Sequence, residues 1–387
     1  MSDLLRVVAA LTRASRTNQA SVLATLVRTE GSTYRRIGAR LVAFSDNSHV
    51  GTVSAGCLDT DVILRAERVR AAGRVELVTY DTRTPEDLVW GSGTGCGGRS
   101  ELLLEPLDPE QAAAKAKLLR EVAHLRECSV LATVARASGV RLEPGDQAVL
   151  GQGSPRLIGF ADLPAELRAV VEATARNKLR LRSPSAVLHT WAAAELDVAY
   201  EVCRPRMRLC VCGAGPDAVP LAALATRMGW QVTLIDHRPG MLSSDQWPEV
   251  DRMPVHSPAE AAAAIEQADC DAAVVMSHYY EWDLEWVGAL LAAGVTYVGV
   301  LGPRRRTRRM IEDLGVSEAD AARLYAPVGL DIGGETPDEI ALSIVAEVQA
   351  VRAGRPGAPL RERPGAIHEE PLRMLSPEAV AAAGCRL

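Results

Sequence analysis

Met207-Arg208-Leu209-Cys210-Val211-Cys212-Gly213-Ala214-Gly215-Pro216-Asp217-Ala218 is the stretch that decides the fold. An apolar strand through Cys212 runs into Gly-x-Gly-x-x-Ala; Val219 to Met228 then reads as a helix, and Gln231 to Ile235 as a strand ending in Asp236. A tight turn, a glycine allowing close approach to a pyrophosphate, a small residue for helix packing and an acid about 20 residues on are the parts of a Rossmann-like half. Pro216 suits a first helical turn, where its missing N–H costs nothing. The pattern fixes a fold; as a sign of bound NAD(P) it is weaker, because such halves host many ligands.

The alternation continues with helix Pro258 to Ala268, strand Ala272 to Met276, helix Asp283 to Ala293 and strand Tyr297 to Leu301. This predicts a doubly wound parallel sheet. Ser277-His278 and Gly302-Pro303-Arg304-Arg305-Arg306-Thr307 follow two of these strands, at the carboxyl edge where open α/β sheets bind ligands. Arg304 and Arg305 are candidate phosphate binders. His278 is either an acid–base group or an ordinary polar edge residue, since the sequence offers it no partner. Thr336-Pro337-Asp338-Glu339 reads as a capping box opening a last helix to about Arg352.

Composition narrows the class. At 387 residues the chain should hold two or three domains, with a core of Ala, Val and Leu because hydrophobic residues make up 48% and aromatics only 4%. A net charge of −6 argues against a nucleic-acid coat. No apolar run approaches the ~20 residues of a membrane span, and the N-terminus lacks a leader pattern, so a cytoplasmic protein is expected. Eight scattered cysteines give neither a disulfide framework nor zinc spacing.

Upstream, Gly91-Ser92-Gly93-Thr94-Gly95-Cys96-Gly97-Gly98 packs glycines around one thiol. Consecutive N–H groups in such turns form anion-binding nests, and Cys96 puts a soft sulfur at the rim; the alternative is a flexible loop that happens to hold a cysteine. Thr29 to Gly38 carries Ser32, Thr33, Arg35 and Arg36 between glycines, a mixture suited to phosphate or else to a solvated turn. Ser54-Ala55-Gly56-Cys57 leads into a helix from Leu58, placing Cys57 where free N–H groups favour a thiolate. Strands are expected at 20–27, 39–44, 50–54, 74–80 and 100–104, with helices at 3–17 and 109–126. Residues 107–203, with strands at 129–135, 147–150, 156–160, 186–191 and 196–203 and a helix at 163–179, show no chemical constellation. No internal repeat is evident. The expected domains are 1–204, 205–353 and a largely mobile tail, 354–387.

Taken in order, Gly31-Ser32-Thr33-Tyr34-Arg35-Arg36-Ile37-Gly38-Ala39-Arg40, Ser54-Ala55-Gly56-Cys57-Leu58, Gly95-Cys96-Gly97-Gly98 with Glu105-Pro106, Tyr297 to Gly302 with its arginines, and Gly329 to Ala341 resemble the XdhC/CoxI family over roughly residues 10–105 and 207–350. The chain departs from the family pattern at Ala55, where the family has glycine, and at Pro216, where the family usually has histidine. The resemblance implies an N-terminal α+β domain of XdhC/CoxI type followed by the Rossmann-like domain. It implies a molybdenum cofactor-binding maturation chaperone rather than a catalyst. Such a protein protects the cofactor, as molybdopterin or its nucleotide form, while a cysteine desulfurase supplies the terminal sulfur. It then inserts the cofactor into an apo-molybdenum hydroxylase such as xanthine dehydrogenase. A homodimer is implied too. On this reading Ser32, Arg35, Arg36, Gly38, Gly56, Gly95, Gly97 and Gly98 hold the cofactor, with Cys57 and Cys96 near the metal. Gly213, Gly215, Asp236, His278, Arg304 and Arg305 serve NAD(P) or another nucleotide. The rival reading is an NAD(P)-dependent oxidoreductase with His278 as proton donor.

Overall fold

The computed structural model describes residues 3–54, 56–83, 97–243, 245–247 and 249–363. They form two units, 3–205 and 206–363. In the first, α1 (Asp3–Arg16) leads into β1 (Ser21–Gly31), β2 (Arg40–Phe44), β3 (His49–Gly51), α2 (Asp59–Ala72), β4 (Glu76–Asp81) and β5 (Gly98–Leu107). Then come α3 (Pro109–His124), β6 (Ser129–Ser138), β7 (Gln147–Gly151), α4 (Ala165–Leu181), β8 (Ser185–Trp191) and β9 (Ala194–Cys203). Two antiparallel sheets result, ordered β3-β2-β1-β5-β4 and β7-β6-β9-β8. Every residue of β1 from Ser21 to Val27 is buried, because both faces of its sheet are covered. On one side Leu26, Leu41 and Leu102 pack with Val62 and Val69 of α2, and on the other Leu23 and Phe44 pack with Leu11 of α1 and Leu119 of α3.

The two sheets are copies of one plan, which corrects the expectation of no repeat. Each follows a helix, and each runs hairpin, helix, hairpin. Ser21 faces Leu107 in one and Ser129 faces Cys203 in the other; Thr25 faces Arg40, and Thr133 faces Gln147. The same bulge interrupts both central pairs, between Leu26 and Arg28 and between Val134 and Arg136. The first strands even share a sequence, Ser21-Val22-Leu23-Ala24-Thr25 and Ser129-Val130-Leu131-Ala132-Thr133, with Arg28 and Gly31 matching Arg136 and Gly139. Elsewhere the halves keep only apolar alternation, which is all a half-buried strand requires. The strand expected at 156–160 reduces to one bridge, Ile158 to Val149, cut short by Pro155 and by Gly159 at φ +116°.

The copies share charges across the unit. Arg28 reaches Glu101 of its own half at 3.2 Å and Asp197 of the other at 2.6 Å; Arg136 reaches Asp197 at 3.1 Å and Glu101 at 3.6 Å. Glu101 and Asp197 occupy equivalent positions opposite Arg28 and Arg136, so the four groups form a pseudo-twofold cluster.

The second unit contains β10 (Arg208–Cys212), α5 (Ala218–Arg227), β11 (Gln231–Asp236), α6 (Pro239–Leu242), β12 (Asp251–Pro254), α7 (Ala261–Ala268), β13 (Ala272–Val275), α8 (Tyr280–Ala292), β14 (Tyr297–Val300), α9 (Arg304–Leu314), α10 (Glu318–Ala321), β15 (Leu324–Tyr325) and α11 (Pro337–Ala353). Its sheet, β12-β11-β10-β13-β14-β15, is parallel throughout. That is the doubly wound order 3-2-1-4-5-6. Leu221, Ile344 and Val348 fill one face and Ile265, Trp286 and Leu290 the other. Gly213 (φ +122°) is required where β10 ends: a Cβ there would lie 2.6 Å from the backbone of Met276 and Ser277.

Candidate functional site

In the first unit a cleft opens between the Ser32–Arg35 loop, the turn from Val53 to Leu58, and the ends of β4 and β5 at Tyr80–Thr82 and Gly98–Ser100. Local chemistry fixes each wall. The Thr82 hydroxyl donates to the Gly98 carbonyl (2.8 Å) and accepts the Gly98 N–H (3.0 Å). Gly98 in turn abuts the Ser32 carbonyl so closely that any side chain would collide with it. The Asp59 carboxylate, buried, accepts the N–H groups of Val53 (3.1 Å) and Ser54 (3.0 Å) and the hydroxyls of Ser54 (3.0 Å) and Thr52 (2.5 Å). The Ser54 oxygen accepts the N–H groups of Gly56 and Leu58, doing the capping that Leu58 itself does not. These bonds fix Val53, Ser54, Gly56 and Leu58, and the exposed Cys57 thiol stands just ahead of α2.

The expected residues divide. Ser32, Arg35, Cys57 and Gly98 line the cleft. The Arg35 guanidinium also donates to Asp3 at 2.6 Å, a pair at the unit's surface that a stronger anion could displace. Gly97 sits at the mouth, its carbonyl against Gly31. Arg36 is exposed outside the lining, Gly56 is exposed with open space around it, and Gly38 packs against Glu201. Gly95 and Cys96 lie outside the described residues. Sequence reasoning missed Thr82 and the Ser54–Asp59 pair. The Ser-x-x-x-x-Asp spacing before a helix was the signal for the pair.

The second half shows which of these features the scaffold itself demands. β8 and β9 are joined by Ala192-Ala193, whereas residues 83–97 join the equivalent positions of β4 and β5. The approach to α4, residues 152–164, contains no cysteine. Leu142, in the loop matching 32–39, turns inward to the core. The glycine-rich segment, the thiol and the polar rim are thus additions to the first copy.

In the second unit, Asp236 is fully buried, with its carboxylate spent inside the fold. It accepts the Ala214 N–H at 2.5 Å and the backbone and guanidinium N–H groups of Arg238 at 2.7 to 2.9 Å. Burial pushes its pKa up, but those donors outweigh burial and hold it below the usual carboxylate range. Pro216 offers no N–H, and the Asp217 carboxylate lies over Gly215, within 2.5 Å of where a Cβ would sit. The turn therefore presents negative charge where turns of this fold receive a pyrophosphate. His278 has the partner the sequence did not reveal: its Nε2 is 2.7 Å from Asp217 Oδ2. It adopts φ +66°, held there by Ser277, whose hydroxyl donates to the buried Asp283, itself paired with Arg306 at 2.7 Å. His237 stacks on Trp282 and Arg238 lies over Tyr279. Arg304 and Arg305 are exposed on the first turn of α9, and the Cys210 and Cys212 side chains are buried in the core. Among the described residues no group of three or more His, Cys, Asp or Glu is arranged to hold a metal ion, and no helix is long and apolar enough to cross a membrane.

Comparison with known proteins follows the two-unit division. Residues 14–81 match the family model described as the XdhC and CoxI family, and 209–348 match that of the XdhC Rossmann domain. A Bacillus subtilis relative, described as a probable subunit of xanthine dehydrogenase, is 31% identical over 86% of this chain and 93% of its own. The molybdenum cofactor insertion chaperone PaoD of Escherichia coli is 26% identical over 86% of this chain and 83% of its own. A crystal structure from Bacillus halodurans, described as a xanthine dehydrogenase, superposes with a TM-score of 0.67 at 27% identity, covering 94% of this chain and 98% of that one.

Proposed function

The chain belongs to the XdhC and CoxI family, and from that premise we propose that it binds molybdenum cofactor, shelters it while a cysteine desulfurase installs the terminal sulfur, and delivers it to an apo-molybdenum hydroxylase. One observation carries the reading. An exposed thiol, a hydroxyl-rich loop and a weakly committed guanidinium meet in one cleft, and the duplicate half, built on the same frame, has no cysteine ahead of its helix and buries Leu142 where the first half has its polar loop. The donor set fits the cargo. Arg35 and Ser32 suit a phosphate, with the Gly97 amide at the mouth, while Cys57 offers a soft ligand to a thiophilic metal. When bound, the cofactor supplies the redox-active metal that the recipient hydroxylase needs. This chain's residues grip its anionic end, exclude water from the cleft and hold a sulfur beside it. The names of the relatives from Bacillus subtilis and Escherichia coli support a hydroxylase as recipient. Cys96, Arg36, a homodimer and a cytoplasmic site belong to the same proposal. Gly213, Gly215, His278, Arg304 and Arg305 would serve a nucleotide only with the Asp217 carboxylate turned away from Gly215.

The oxidoreductase reading draws support from the 3-2-1-4-5-6 sheet. Against it stand the inward commitment of Asp236 and the carboxylate over Gly215, which leave neither a free ribose reader nor a hospitable phosphate seat. The decisive experiment is to purify the chain from a molybdenum-replete host and measure bound molybdenum and released pterin. It should be titrated calorimetrically with NADH and NADPH in parallel. Stoichiometric pterin and molybdenum without nicotinamide binding is the expected result. Absence of both pterin and molybdenum, with tight nicotinamide binding, would overturn it.

A further inference from the structure

The duplication ties the loop that walls the Cys57 cleft to the second copy. The Arg40 guanidinium, its side chain only 3% exposed, donates to the Gly38 carbonyl at 2.7 Å and to Glu201 of the other half at 2.5 and 3.2 Å. Gly38 (φ +93°) lies on the Glu201 carboxyl with no room for a Cβ, and its N–H is bound to the Leu26 carbonyl at 2.9 Å. The loop 32–38, which carries Ser32 and Arg35 to the cleft, is therefore tied down at its far end by a carboxylate from the second copy.

The mirror-image contact exists. Gly145 (φ +100°) is the equivalent of Gly38, its N–H bound to the Val134 carbonyl, and it lies on the carboxyl of Glu105, the equivalent of Glu201. Gln147 replaces Arg40, and the missing cation comes from α3: Lys115 Nζ donates to the Gly145 carbonyl at 2.8 Å and to Glu105 at 2.7 Å. Each half clamps the other's first hairpin loop with a glutamate, the clamped half supplying the cation, but only the loop of the first half borders the cleft that holds Cys57.

We propose that Glu201 is a positioning residue for the cofactor cleft, setting the height of the Ser32–Arg35 loop through Arg40 and Gly38 without touching the ligand; the functional half of this claim rests on the cofactor-binding reading. The pseudo-symmetry supplies an internal control, since Glu105→Gln makes the same chemical change under a loop that does not line the Cys57 cleft. Both variants are compared with the unaltered full-length chain in two measurements. One is amide hydrogen exchange of the cofactor-free protein, and the other is affinity for molybdopterin released from a molybdenum enzyme. Glu201→Gln should speed exchange selectively at residues 36–39 and weaken binding by about tenfold; Glu105→Gln should speed exchange at 143–146 and change binding by less than about twofold. Where Glu201→Gln does not fold, Glu201→Asp, which keeps the charge on a shorter stem, should show the same selectivity at smaller amplitude. Unchanged exchange at 36–39, or equal loss of binding in both glutamate variants, would overturn the proposal. Failure of the unaltered chain to bind molybdopterin would sink the cofactor reading, while the exchange measurement would still decide the clamp.

Discussion

The two halves of the first unit use one strand order, one register and one bulge, and differ in what is hung on that frame. In the first, residues 83–97 intervene between β4 and β5, a Ser54–Asp59 hub shapes a turn around Cys57, and Tyr34 stands 70% exposed at the rim. In the second, an Ala192-Ala193 turn closes the hairpin and Leu142 is drawn into the core. Shared features mark the demands of folding and unshared ones the demands of function. The sharing extends to the polar interior: Glu101 and Asp197, and Glu105 and Glu201, are matched pairs.

The comparison can be broken most severely by making the halves alike. Replacing residues 83–97 with Ala-Ala should lower molybdenum cofactor retention by at least about 100-fold in copurification, while urea unfolding changes by only about 1 kcal/mol, because shortening a loop has a small entropic effect. Retained cofactor would remove the glycine-rich segment from the site. Next in size is a stability contrast between matched positions. Arg40→Met strands the Glu201 charge and should cost about 3–5 kcal/mol in urea denaturation, whereas Gln147→Met should cost about 1 kcal/mol. Similar costs would mean that the two clamps are not differently built. Cys57→Ala should reduce cofactor retention by about tenfold with no shift in thermal midpoint, and Cys128→Ala, a half-buried thiol at the foot of β6, should leave retention unchanged.

The smallest effect concerns another matched pair. His189 in β8 occupies the place of Tyr80 in β4 and is buried against the Tyr200 hydroxyl at 2.7 Å. Burial pushes its pKa below the ordinary 6.5, with Asp197 opposing only in part. As pH falls through about 6.5 the unfolded chain therefore takes up a proton before the folded one does, and stability is lost at up to roughly 1 kcal/mol per pH unit. His189→Gln should flatten the dependence of the urea midpoint between pH 7 and 5, while Tyr80→Phe should not. An unchanged slope in His189→Gln would show that the ring titrates alike in the folded and unfolded chain, so that burial does not depress its pKa.

How much of this was legible in the sequence follows from the same contrast. The Rossmann-like unit could be read because parallel strands buried on both faces spell continuous apolar runs such as Leu209 to Cys212, and its glycine turn has fixed spacing. The duplication could not, although the shared pentapeptide was in view. The spacing between copies drifts from 108 residues at Ser21 and Ser129 to 96 at Leu107 and Cys203 (129 − 21 and 203 − 107), as the loops that carry function lengthen or shrink. Arg35 and Cys57 were visible because loop chemistry is local. Glu201 was invisible as a partner of Arg40, 161 positions away, because nothing in either neighbourhood names the other. Asp217 was read only as turn filler, and its pairing with His278 depends on the crossover that brings β10 beside β13.

The crossed clamp also constrains how such a chain can change over generations. A substitution at position 40 is costly unless a compensating one arises at 201, and the same holds in lesser degree for 105 with 115, so these sites should drift as couples. Rim positions such as Tyr34 answer to no distant half and are free to vary singly, leaving selection to tune cargo preference without reopening the frame beneath it.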